Sequence, residues 1–113
     1  MSDLNIKEEA GDGSVVVTDA KGRNLTIKEA DFLLESRITR LCGDASTNVG
    51  YMYAYVFPTI CVVAIDGDPV PFPTTFLQLE ALITRVGREG TNAVLMHQNN
   101  AAKFKQHEES VKN

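Results

Sequence analysis

Residues 49–63 contain no Asp, Glu, Lys or Arg, in a chain that is 23% charged overall. Such a run is too long to leave in water. It is also too short to span a bilayer, which needs about twenty apolar residues. It must therefore lie against protein, and the rest of the chain must supply the cover. Its content is Val49, Tyr51, Met52, Tyr53, Ala54, Tyr55, Val56, Phe57, Ile60, Cys61, Val62 and Val63, with Pro58 in the middle. Asn48 suits the N-cap of a helix starting there. Pro58 lacks an N–H and clashes with the preceding turn, so it kinks or breaks that helix near Tyr55–Phe57. A kinked helix is the preferred reading, although Ile60–Ile65 also has the composition of a strand.

The flanking sequence supplies the cover. Ser14–Thr18 is β-branched, Asp19–Arg23 is a turn with Gly22 at a positive-φ position, and Asn24–Ile27 is extended again. This predicts a β-hairpin. A helix follows from about Lys28 to Cys42, with Ala30, Leu34, Ile38 and Leu41 inward and Phe32 and Leu33 thickening the stripe. Gly43 stops it. Asp66-Gly67 marks a tight turn, and Pro69, Pro71 and Pro73 force extended backbone. Thr75 and Gln78 have capping-box spacing for a third helix, with Phe76, Leu79, Leu82, Ile83 and Val86 on one face and Gly87 at its end. A last helix runs from Glu89 to about Phe104, with Ala93, Val94, Met96 or His97, Ala101 and Phe104 inward. The predicted class is α+β, mostly helical, with an N-terminal β-hairpin packed on about four helices. A loose leader (1–13) precedes the single domain of residues 14–105, and a frayed polar tail (106–113) follows. At 113 residues the chain can bury one core without crosslinks.

Charge narrows the function classes. The net charge is −4 and the basic residues are scattered, which disfavours phosphate backbones and membrane surfaces as partners. Cys42 and Cys61 sit in apolar contexts and read as buried free thiols, consistent with a cytoplasmic protein that lacks a signal segment. His97 and His107 stand alone and read as solvent or interface residues. Asp66 and Asp68 flank Gly67 like part of a calcium loop, but Leu77 occupies the twelfth position where an EF-hand needs Glu. No phosphate loop or nucleophile–base pair is present, so no cofactor, metal or enzymatic activity is expected. The candidate binding residues are Tyr51, Tyr53, Tyr55 and Phe57. Alternate positions on a helix do not share one face. Either all four fill a core around a buried helix, or at least one turns outward as an amphipathic contact for another protein.

Several stretches together resemble a known family. They are Val17-Thr18-Asp19-Ala20-x-Gly22-Arg23-x-Leu25-Thr26, then Val63-Ala64-Ile65-Asp66-Gly67-x-Pro69-Val70-Pro71-x-Pro73-Thr74. Gln78-x-Glu80-Ala81 and Arg85-Val86-Gly87-x-Glu89-Gly90 complete the set. In order and spacing, over residues 15–95, the chain resembles the short tail assembly chaperones of long-tailed bacteriophages and prophages. The resemblance implies a non-enzymatic partner of the tape measure protein, with the tail tube protein as a second candidate partner, acting before the tube polymerises. It carries over no catalytic residues. A chaperone with outward aromatics would self-associate as a homo-oligomer when no client is present. The alternative is a small acidic inhibitor that occludes a host enzyme.

Overall fold

The computed structural model describes the backbone of residues 6–9 and 12–112 and the side chains of residues 12–102. Among the described residues, five antiparallel strands lie in sequence order: β1 (Ile6–Glu9), β2 (Val15–Thr18), β3 (Asn24–Ile27), β4 (Val62–Ile65) and β5 (Asp68–Pro69). Helical segments separate β3 from β4 and follow β5. We designate Phe32–Cys42 as α1. Residues 49–60 form α2, and Phe76–Lys112 forms α3, broken at Gly87.

The predicted hairpin is β2–β3, pairing Val15 with Ile27 and Val17 with Leu25. Its turn is held by Asp19, whose Oδ1 accepts from the Lys21 and Arg23 N–H groups, with Gly22 at φ 81°. The hairpin is only part of a larger sheet. Val62–Ile65 is the strand paired with β3, so the strand alternative noted for Ile60–Ile65 holds at its C-terminal part and the preferred kinked helix, read as far as Val63, ends earlier. The strand's β-branched residues prevail once Pro58 and the chain turn at Cys61 have ended α2. Ile6–Glu9, expected to be a loose leader, pairs with β2. Residues 1–5, 10 and 11 of that leader lie outside the described residues. Asp66 and Gly67 turn β4 into β5 with φ of 51° and 85°, as a two-residue hairpin requires.

The α1 N-cap is Asp31, whose side chain accepts from Leu34 N–H, so the helix begins four residues later than the expected Lys28. The Thr75 hydroxyl accepts from Gln78 N–H as a capping box requires, while Gln78 Oε1 accepts from Thr74 N–H instead of Thr75 N–H, so only the reciprocal bond is moved back by one residue. Gly87 has φ 70° and ψ 180°, so the third and fourth predicted helices are the two arms of α3, residues 76–86 and 88–112. The second arm passes the expected end near Phe104 and continues through the stretch expected to fray. Residue 113 lies outside the described residues, as do the side chains of Phe104 and His107.

The helices cover one face of the sheet. Val15, Val17, Leu25, Ile27, Val62 and Ile65 meet Leu82, Val86 and Val94 of α3 there. A second core joins Ile38 and Cys42 of α1 with Met52, Val56 and Ile60 of α2 and Leu79 of α3. Of the helical residues expected inward, Ile38, Leu79, Leu82, Val86 and Val94 are buried, and Ala30, Leu34, Leu41, Phe76, Ile83 and Ala93 are half-buried. Phe32 and Leu33, expected to thicken the inward stripe of α1, are instead exposed. Ala101 of α3 is likewise exposed rather than inward, and of the alternatives Met96 and His97 the half-buried one is His97. Among the described residues, no helix is long and apolar enough to cross a membrane.

Candidate protein-binding surface

Pro58 shapes the helix that carries the candidate residues. It cannot donate to a carbonyl one turn back, and its ring needs space there. The chain responds with a π-helical turn over Met52–Val56, in which Phe57 N–H reaches Met52 O. Wide turns of this kind recur at functional sites. Asn48 caps the start of the helix, its Oδ1 accepting from Tyr51 N–H. The helix ends at Ile60, and Cys61 turns the chain into β4.

Three faces result. Met52, Val56 and Ile60 point into the second core. Tyr51 and Tyr55 lie along one flank with ring centroids 5.8 Å apart. Tyr53 and Phe57 lie along the other, 5.1 Å apart and edge to face. Tyr51 and Phe57 are half-buried, whereas Tyr53 is 65% exposed and Tyr55 53%. All four candidates therefore belong to one element but not to one patch. The outer member of each pair rests on an inner ring, which limits the side-chain freedom it would lose on binding. Burial pushes the Tyr51 hydroxyl up from its ordinary range, helped by the neighbouring Cys42 and Glu80.

Each flank opens onto a groove. On the Tyr55 side, Ala54, Ile83, Arg88 and Leu95 line a cleft of about 550 Å³ between α2 and the bend of α3. On the Tyr53 side, Phe32, Glu35, Arg40 and Phe57 line one of about 640 Å³ between α1 and α2. Phe32 is 86% exposed at the mouth of the second groove. Sequence periodicity missed this residue by counting it inward. The signal that could have found it is Asp31: as the N-cap it makes Phe32 the first helical residue, about 120° around the helix from the buried Ile38.

The other chemistry-bearing residues do not converge on a reaction centre. Cys42 and Cys61 are free and buried in separate cores. Burial pushes both thiols up, which disfavours the nucleophilic thiolate. Gln98 Nε2 donates to Cys61 Sγ at 3.5 Å. His97, one of the two alternatives expected inward on this helix, is half-buried, with Nδ1 enclosed and unpartnered among the described residues. Among the described residues, no three His, Cys, Asp or Glu side chains are grouped to hold a metal. Asp66 is a turn residue: its Oδ1 accepts from Asn24 N–H at 2.8 Å.

Two stretches that are far apart in sequence meet in one joint. Arg23 Nε donates to Asp19 Oδ2, and its two terminal nitrogens donate to the carbonyls of Arg85 (2.7 Å) and Val86 (2.6 Å). The guanidinium thus closes the C-terminus of the first arm of α3, where carbonyls lack helical partners. A β-carbon at Gly90 would stand 2.5 Å from Val86 Cγ1, so the second arm can pack this closely only with glycine there. Comparison with family models, curated proteins and solved structures finds no match to this chain.

Proposed function

We propose that the protein is a phage tail assembly chaperone that binds the tape measure protein before the tail tube polymerises, acting without catalysis in the cytoplasm of the host cell. The observation that carries this reading is the presentation of Tyr53 and Tyr55, both more than half exposed, on opposite flanks of a helix whose third face is locked in the core. A rigid helix with outward aromatics beside grooves suits an amphipathic client helix, which anchors by residues three and four apart. The resemblance noted in the sequence supplies the identity of that client. Its Asp19–Arg23 and Arg85–Gly90 stretches meet in the Arg23 joint, so they form one structural unit rather than two unrelated turns.

The test is capture of tape measure fragments from long-tailed phages by the purified chain. The Tyr53→Ser, Tyr55→Ser double variant should lose at least tenfold in affinity while its urea midpoint stays put, because neither ring fills a core. Failure of the wild type to capture any fragment, together with capture of a host enzyme, would replace this reading with the inhibitor.

A further inference from the structure

The bend at Gly87 divides α3 into two arms with different duties. The first arm joins the two cores through Leu79 and Leu82. The second arm lies on the sheet, with Val94 fully buried and Ala93 packed beside it. It is also tied down by Lys21 Nζ to Glu89 Oε1 at 3.8 Å and by Gln98 Nε2 to Cys61 Sγ at 3.5 Å.

A single residue makes the bend. Gly87 has φ 70° and ψ 180°, the mirror image of an extended conformation, which is open to glycine and closed to other L-residues. Residues 76–112 are otherwise helical and contain no proline. The bend therefore competes with one uninterrupted helix. In that helix the carbonyls of Arg85 and Val86 would accept from the N–H groups of Glu89 and Gly90, four residues on. In the bent form Arg23 donates to both. The bend also demands Gly90, since a β-carbon there would stand 2.5 Å from Val86 Cγ1. In a straight helix residues at this spacing keep their β-carbons about 5–6 Å apart, so alanine is accepted. Two glycines and one guanidinium thus hold the bend against the helix.

From this we infer that α3 can straighten at Gly87 and exchange its second arm with a second copy of the chain, each arm packing on the other copy's sheet. The occupant of the vacated sheet face follows from the fold. That face already fits Val94 and Ala93, and the arm of a second copy is chemically identical to the one that left. The exchange is reciprocal, so the pair closes about a two-fold axis and leaves neither sheet uncovered. The arm recovers its buried contacts in the partner. What changes is the hinge, where a turn restricted to glycine gives way to helical hydrogen bonds. A connection of one residue invites such exchange, because it has no slack with which to relieve the turn. The Arg23 clamp opposes it and favours the monomer at low concentration. The inference uses no exposed aromatic and no client, so it stands apart from the proposed function.

The experiment is refolding of the full chain from urea at high and at low concentration, followed by sedimentation. Refolding at high concentration should yield a dimer. That dimer should persist after dilution, because reverting requires both arms to leave their sheets. Gly87→Ala should lower the dissociation constant about tenfold or more, since alanine resists the bend and favours helix. Gly90→Ala should shift it in the same direction. D-alanine at position 87, introduced by peptide ligation, prefers the mirror-image backbone and should abolish the dimer while the monomer stays folded. Three results overturn the inference: wild type and both alanine variants refolding only as monomers, a dimer that dissolves at once on dilution, or a D-alanine form that dimerises as readily as wild type. The comparison of D-alanine with wild type decides the matter even where an L-alanine variant fails to fold. Capture of tape measure fragments by the monomeric D-alanine form tests the proposed function separately.

Discussion

Arg23 is the residue on which most of the tertiary arrangement turns. Its partner Asp19 has a fully buried carboxylate, and a buried carboxylate without its cation is costly. Replacing Arg23 by Met removes that cation and also uncaps the carbonyls of Arg85 and Val86. The expected loss is about 3–5 kcal/mol in a urea melt. Gly90→Ala should cost about 1–3 kcal/mol through overpacking against Val86. If Arg23→Met left the melt unchanged, the joint would be a surface decoration and α3 would be held by packing alone. In the sequence, Asp19 and Gly22 read as a turn and Arg23 as its last residue. That its side chain reaches 62 residues on to Arg85 is beyond any local signal, because a guanidinium shows no periodicity.

At the scale of the element, α2 separates residues that look alike in sequence. Met52 is 3% exposed and Tyr53, its neighbour, 65%. Met52→Ala should therefore cost about 2–5 kcal/mol, as truncation in a packed core does. Tyr53→Ser should fall within about 1 kcal/mol of wild type. Paired urea melts decide this, and equal losses would mean that the helix is rotated relative to its core. The four aromatic positions were legible as a group because they alternate, and alternation on a helix forbids a common face. Their sorting into outer and inner rings was not legible. It depends on the π-helical turn that Pro58 imposes, which shifts the register after Tyr51.

For the whole molecule, the two cores are joined through the first arm of α3, whose Leu82 and Val86 serve the sheet while Leu79 serves the helical side. Neither half can open far without disturbing that arm. Cys61 reports on one core and Cys42 on the other. Both thiols should therefore react with a maleimide at similar slow rates in native buffer, and quickly once urea unfolds the chain, because burial both shields them and disfavours the thiolate. Mass spectrometry of the labelled chain would show it. Labelling of Cys42 far ahead of Cys61 would mean that α1 and α2 open as a separate unit.

What the amino-acid order determined by itself are the features set by local physics. The hairpin at Gly22, the Asn48 and Thr75 caps, the stop at Gly87 and the apolar face of residues 76–86 each depend on neighbours within a few positions. The tertiary structure decided whatever depends on a remote partner. Val62–Ile65 is a strand because β3 offers it an edge, and Ile6–Glu9 is one because β2 does. Phe32 turns outward because Ile38 and Cys42 claim the inner side of α1. Hydrogen-bond edges and buried faces are satisfied only once distant segments arrive, and the identity of those segments is not written in the local pattern.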